Sequence, residues 1–450
     1  MQKDMLFWIW LSEALGAASR DFSALIKLYD SPYDLFYADD DEIERIEEIA
    51  DRTKEKLANK DLQRATDILD RCERLKIGIL PYTHERYPRA LRELREPPVL
   101  LYYRGELFDI NATLSIGMVG TRKMSAYGMK SAYKIAYELA SVGVTIVSGM
   151  AAGIDGVSSA AALAAHGRTI AFLGCGLDVV YPRHHKPLMD AIARDGILFS
   201  EYPPGTRPVQ YHFPVRNRLI SGMSQGTVVV EAGLGSGSLI TARDAIVQGR
   251  DVFALPANVG SRGAEGTNGL LRDGANLALG SEDILKPYQY VYSQSLRQEL
   301  LPKAREQSTV DLHYLERLGV IELTQTNRQA PREELRAAAP EEKVTARKTR
   351  TTKSEKEKDA PALQNSKQEA EKIDKPQNES TSKQPPSDAL LSSMTPVQLA
   401  VLEAIPDDRA VSGDFISGLD FPYGEAIAAL TMLEIMGVIQ KLPGGLYTRL

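Results

Sequence analysis

Residues 117–275 repeat one unit several times: a short apolar run, a turn containing glycine, then a segment with helical spacing. Strand candidates fall at 114–119, 144–148, 169–173, 197–200, 227–230 and 252–255. Helical patterns separate them, as at 125–141, 154–166 and 239–248. Strands that alternate with helices must be linked by crossovers, so the pattern predicts an α/β domain: a doubly wound parallel sheet covered on both faces.

The flanks read differently. Residues 1–75 predict a small helical domain, of sterile-alpha-motif or helix-hairpin-helix type, with Phe22, Leu25, Ile26 and Leu28 at helical spacing. The acidic run Asp39 to Glu42 suits a helix N-terminus, where the helix dipole favours negative charge. Residues 76–110 form a connector punctuated by Pro81-Tyr82, Tyr87-Pro88 and Pro97-Pro98, so the connector and core together span 76–300. From 326 to 390, Lys, Glu, Gln, Ser, Thr and Pro dominate; such a segment buries too little apolar surface to fold and is expected to be a disordered linker. Residues 392–450 then carry two apolar helical patterns and a Gly444-Gly445 turn, which predict a C-terminal winged helix.

At 450 residues and a net charge of −6, the chain cannot attract polyanions through bulk charge; any such site must be a local patch. Cys72 and Cys175 lie far apart without partners in sequence, so neither a disulfide framework nor a zinc site is expected and a reducing compartment fits. The apolar opening from Met5 to Leu11 is too short to span a bilayer and lacks a signal-peptide cleavage pattern. The expected location is the cytoplasm, with no membrane contact.

In an open parallel sheet, ligands bind beyond the carboxyl ends of the strands, so those loops carry the functional reading. Gly120-Thr121-Arg122-Lys123 follows the first core strand. Gly120 permits a tight turn and Arg122 has the fork that matches phosphate oxygens, although a surface arginine at a turn looks the same. Gly149 and Gly153 in the next loop suit either a phosphate cradle or close strand–helix packing. Gly174 and Gly176 precede Tyr181-Pro182-Arg183-His184-His185; no carboxylate or thiol stands at ligand spacing from the histidines, so Arg183 reads as a phosphate contact and no metal is expected.

The fourth loop, from Glu201 past Arg207, leads into the arginine-rich stretch 213–222 with Arg216 and Arg218. Tyr202, Tyr211 and Phe213 interleave with this charge, a combination that suits single-stranded nucleic acid, with Tyr211 and Phe213 as candidate stacking faces. The fifth loop, with Ser236, Gly237 and Ser238, lacks the lysine of a Walker A loop. Asp155, Glu201 and Glu231 are the acid or base candidates at the strand ends; helix caps and arginine partners fit them equally.

These motifs, taken in order, resemble the DNA processing protein A family (DprA, also called Smf). The resemblance rests on Gly120-Thr121-Arg122, Ser148-Gly149-Met150-Ala151 with Gly153-Ile154-Asp155, and Gly174-Cys175-Gly176-Leu177-Asp178 with Tyr181-Pro182. It continues through Phe213-Pro214 with Arg216-Asn217-Arg218, Glu231-Ala232 with Ser236-Gly237-Ser238-Leu239, and Asp273-Gly274-Ala275. The chain departs from the family pattern at Ser158-Ser159, His185 and Ala257.

The resemblance implies an extended Rossmann-like domain that dimerises and binds single-stranded DNA. It also implies a non-enzymatic recombination mediator, without cofactor, that protects incoming strands in natural transformation and loads the RecA recombinase. By motif position it assigns phosphate contacts to Arg122, Arg183 and Arg207; Lys123, Arg216 and Arg218 extend that basic set.

The second helix of the C-terminal pattern contains Glu425 and Glu434 but no lysine or arginine, so that module is expected to contact protein or to assist DNA binding only weakly. The rival reading is a nucleotide-binding or nucleotide-hydrolysing enzyme akin to the phosphoribohydrolases. Those carry a Pro-Gly-Gly-x-Gly-Thr-x-x-Glu loop, whereas residues 233–242 lack both the proline and the terminal glutamate.

Overall fold

The computed structural model describes residues 2–261, 263–322, 394–406, 411–419, 421–436, 438–442 and 446–449. The expected linker, 326–390, lies outside the described residues. The described residues up to 322 and from 394 onward cluster into one compact unit.

Helices α1 (Gln2–Leu15), α2 (Asp21–Leu28), α3 (Pro32–Tyr37), α4 (Asp40–Glu44), α5 (Asp51–Ala58) and α6 (Gln63–Leu75) open the chain. The apolar stretch of α1 is a core element: Ile9 is fully buried, and Phe7, Trp8, Trp10 and Leu11 nearly so. At α3, the Ser31 hydroxyl accepts from the Asp34 N–H and Pro32 occupies the first turn, where its missing N–H costs nothing. The acidic run starts α4 as the dipole argument requires, but the helix closes before Ile46.

The core is a nine-stranded sheet built from β1 (Gly78–Pro81), β2 (Leu100–Gly105), β3 (Ser115–Val119), β4 (Thr145–Ser148), β5 (Thr169–Phe172), β6 (Ile197–Ser200), β7 (Gly226–Val229), β8 (Asp251–Ala254) and β9 (Asn276–Leu277). Strands β3 to β9 run parallel to one another, and β3 to β7 are buried along their whole length, as a sheet covered on both faces demands.

The parallel core carries an antiparallel edge, where β1 pairs antiparallel with β2, and β2 with β6. Parallel neighbours need a long crossover. Between β1 and β2 lies a connector whose helix, α7 (Arg89–Arg92), has only four residues, and both strands join the core sheet.

Strand order is β1-β2-β6-β5-β4-β3-β7-β8-β9. The chain therefore travels outward from β3 to β6, then returns to the other side of β3 with β7. That reversal leaves a crevice at the carboxyl ends of β3 and β7, where open α/β sheets take their ligands. Helices α8 (Ala126–Ser141), α9 (Ile154–Ala164), α10 (Lys186–Asp195), α11 (His212–Met223) and α12 (Ser238–Val247) form the crossovers.

The arginine-rich stretch belongs to a crossover helix. It is not a loop but most of α11, because Val215, Leu219, Ile220 and Met223 recur at helical spacing and bury against the sheet. Pro214 falls in the first turn, where helices tolerate it.

Near the C-terminus, Thr395 and Gln398 form a reciprocal capping box on the helix Pro396–Glu403. A second helix, Tyr423–Ile435, follows, and three short antiparallel strands complete the module around Val401, Leu433 and Val438.

Candidate nucleic-acid interface

A groove of about 1880 Å³ opens at the β3/β7 reversal. Its walls come from the Gly120 loop, the start of α11, the Gly233–Gly237 loop and the 256–263 loop. Small-molecule pockets usually measure ~300–1,000 Å³, so the groove suits a polymer better than a single nucleotide. Exposed Arg122, Lys123 and Arg243 line it. Arg243 is absent from the basic set read from the sequence: it lies on α12, behind the glycine loop, with no motif to mark it.

Arg216 also reaches the groove, but only 3% of it is exposed. Its Nη1 donates to the Gly149 carbonyl at 2.7 Å and to the Phe172 carbonyl. Asp155 sits in the same buried cluster and accepts from the Gly149 N–H at 3.2 Å. Burial pushes the Asp155 carboxyl upward, and the neighbouring Arg216 guanidinium opposes that shift. Arg216 therefore ties together the ends of β4 and β5 and lends the floor of the groove a fixed positive charge. Gly149 is required beneath it, since a Cβ there would lie 2.5 Å from Arg216 Nη1. Gly153, at φ +83°, is pressed against the backbone of Thr121 and Arg122 and locks the next loop to the first.

Two helix N-termini approach the groove, and they differ. At α8, the Ser125 hydroxyl accepts from the Gly128 N–H. Glu231, arriving from the end of β7, accepts from the Ser125 N–H at 2.9 Å and from its hydroxyl at 3.2 Å. A carboxylate already occupies that helix end, so the expected anion site after Gly120 is filled from within. The α12 N-terminus has no side-chain cap. Ser236, Gly237 and Ser238 line the groove there, and a Cβ at Gly235 or Gly237 would meet nothing within 4 Å. The Leu239 and Ile240 N–H groups already donate to the Ser236 and Gly237 carbonyls, so the helix start offers an incoming phosphate open space and the positive end of the helix dipole.

The aromatic faces also differ from expectation. Phe213 lines the groove, with the Arg122 guanidinium 5.2 Å and the Arg216 guanidinium 5.9 Å from its ring centre. Tyr211 is half-exposed but does not line the groove; its ring meets His212 edge-on. Tyr181 and Tyr127, neither of them among the stacking candidates, do line it. Tyr202 is buried, stacked on His212.

Arg218 is a clear correction to the phosphate-contact set. Both Glu201 oxygens accept from its Nη2 at 2.6 Å, and the pair is buried away from the groove. Arg183 and Arg207 are exposed but lie outside the groove lining, Arg207 next to Pro208, which does line it.

Gly174 and Gly176 serve packing: the Gly174 carbonyl accepts from His212 Nδ1, and Gly176 fits against Asp178 and the Gly205 N–H. The three carboxylates do not converge. Asp155 and Glu231 line the groove with their hydrogen bonds directed at backbone N–H groups and Ser125, while Glu201 is held by Arg218.

His185 is fully buried with Nδ1 at 3.0 Å from the Met150 carbonyl, and among the described residues no three potential metal ligands stand together. Both cysteines are buried, and burial pushes the Cys72 thiol up to about 12 and that of Cys175 to about 11. Among the described residues no helix is long and apolar enough to cross a membrane.

Residues 78–289 match the family model for DNA recombination-mediator protein A. The DNA processing protein DprA of Bacillus subtilis is 42% identical over 210 residues, 47% of this chain and 71% of that protein. Its counterpart in Streptococcus pneumoniae is 43% identical over 204 residues, 45% of this chain and 72% of that protein. The solved DNA processing protein A of Helicobacter pylori, described for its single-stranded DNA binding mode, is 32% identical, covering 48% of this chain and 97% of that one with a TM-score of 0.44. With more than two thirds of the length of the Bacillus subtilis and Streptococcus pneumoniae proteins matched at above 40% identity, the chain belongs to the DNA processing protein A (DprA, or Smf) family.

Proposed function

We propose that this protein is a single-stranded DNA-binding recombination mediator rather than an enzyme. It protects incoming strands during natural transformation and loads the RecA recombinase onto them in the cytoplasm. The observation that carries this reading is the open groove at the β3/β7 reversal, with Arg122, Lys123 and Arg243 exposed along it and the uncapped start of α12 in its wall.

A strand's phosphates lie against those cations and that helix start, while Arg216 supplies fixed charge from below. Exposed Arg183 and Arg207 continue the basic track outside the groove. Ser236, Gly237 and Ser238 allow the backbone to approach the phosphates, and Gly120, Gly149, Gly153, Gly174 and Gly176 hold the loops in place.

The protein acts as a homodimer. Exposed Leu277 on edge strand β9, together with Leu279, Ile246 and Val247, supports that reading, because an unpaired apolar sheet edge calls for cover. The N-terminal helices form a helical domain of sterile-alpha-motif or helix-hairpin-helix type. The C-terminal module is a winged helix whose acidic second helix suits a protein partner better than phosphate.

Fluorescence anisotropy of a labelled single-stranded oligonucleotide, set against duplex across a salt series, tests the reading. Affinity that prefers the single strand and falls steeply with salt is expected. Absence of binding at low salt, with hydrolysis of a nucleotide instead, would favour the phosphoribohydrolase-like alternative.

A further inference from the structure

The basic set accounts for phosphates but leaves open what receives the bases. Phe213 is the obvious ring on the groove, yet its surroundings are taken. The Arg122 and Arg216 guanidiniums lie within 5.9 Å of its centre, and Tyr181 packs against it at 5.3 Å with 38° between the planes. Tyr181 has the opposite arrangement: it is 37% exposed, lines the groove and leans on Phe213. Phe213 is thus the support and Tyr181 the presented face.

We infer that Tyr181 is a base-stacking residue of the groove, holding one unpaired base on its exposed face while Arg122 takes an adjacent phosphate. The inference rests on the single-strand reading above and extends it from charge to base recognition. Every base has a π-face, so such a platform is indifferent to sequence; it requires an unstacked base, which duplex DNA does not present. The arrangement therefore gives preference for single strands without reading a sequence. Phosphate contacts alone cannot do that, since both forms of DNA carry phosphate.

The test uses the full chain with an oligonucleotide carrying one 2-aminopurine, whose fluorescence is quenched on stacking. Tyr181→Ala should weaken binding by about tenfold or more, as expected when an aromatic platform for one base is removed. It should also abolish the quench at one probe position and leave the slope of log affinity against log salt unchanged, because no phosphate contact is lost. Tyr181→Phe, which keeps the ring, should bind and quench as the wild type does. Tyr211→Ala, exposed but off the groove, should change neither, and equal melting temperatures confirm that the variants are folded.

Wild-type affinity and quench in Tyr181→Ala would overturn the inference and leave the single-strand reading standing. A loss of affinity with an altered salt slope and an intact quench would also overturn it, by placing Tyr181 on the phosphate path. Failure of the wild type to bind single strands at all would overturn the functional reading on which it rests.

Discussion

Glu231, at the end of β7, accepts hydrogen bonds from both the backbone N–H and the hydroxyl of Ser125, the N-cap of α8. The carboxylate crosses the β3/β7 crevice to complete a cap that Ser125 makes only in part. Glu231→Ala leaves the Ser125 N–H without that acceptor and the helix dipole without its counter-charge. The expected cost is about 1–2 kcal/mol, read as a lower urea midpoint at unchanged slope. An unchanged midpoint would show that water replaces the carboxylate without loss.

Arg218 and Glu201 form a buried pair, so removing one partner strands the other charge. Arg218→Ala should destabilise the protein by about 3–5 kcal/mol, while the double variant Arg218→Met, Glu201→Leu should recover most of it. Molecules that remain folded should bind single-stranded DNA as the wild type does. A specific loss of binding at full stability would return Arg218 to the phosphate-contact set.

Arg122 and Arg243 line the groove from opposite sides in sequence, one after β3 and one on α12. Replacing either with alanine should weaken binding for every strand sequence and lower the salt slope by about one unit. Replacing both should lower it by about two. A salt slope that ignores Arg243 would confine the strand to the Gly120 side.

Glu434 of the C-terminal module also borders the groove, where its charge opposes phosphate. Glu434→Lys should tighten single-strand binding several-fold at low ionic strength, and the gain should fade near 1 M salt, where the Debye length is about 3 Å. Unchanged affinity at low salt would place the bound strand out of reach of this helix.

His185 is held neutral by burial, its basicity lowered from the ordinary value to about 4. The unfolded chain takes up this proton near pH 6.5, the folded chain only near pH 4. Its contribution to stability is therefore complete above pH 6.5 and is lost as pH falls toward 4. Comparing His185→Gln with the wild type across that window should show a shallower loss of stability in the variant. Parallel curves would place the titration in other groups.

The core strands and their crossover helices were legible because their signals are local: apolar runs of four or five residues, broken by glycine, are written in consecutive residues. The same holds for the loops, since in a parallel sheet every strand end feeds a loop on one face. The sequence by itself therefore determined the layered α/β architecture, the family and the loops that build the groove.

Which side chains face that groove was a tertiary decision. The arginines at 216 and 218 look equivalent in sequence, but α11 buries both against the sheet, one among strand-end carbonyls and the other on Glu201. Arg243 and Tyr181 lack a local signal because they reach the groove only once β7 returns beside β3. That neighbourhood depends on strand order, a property of the whole fold that no short window of residues contains.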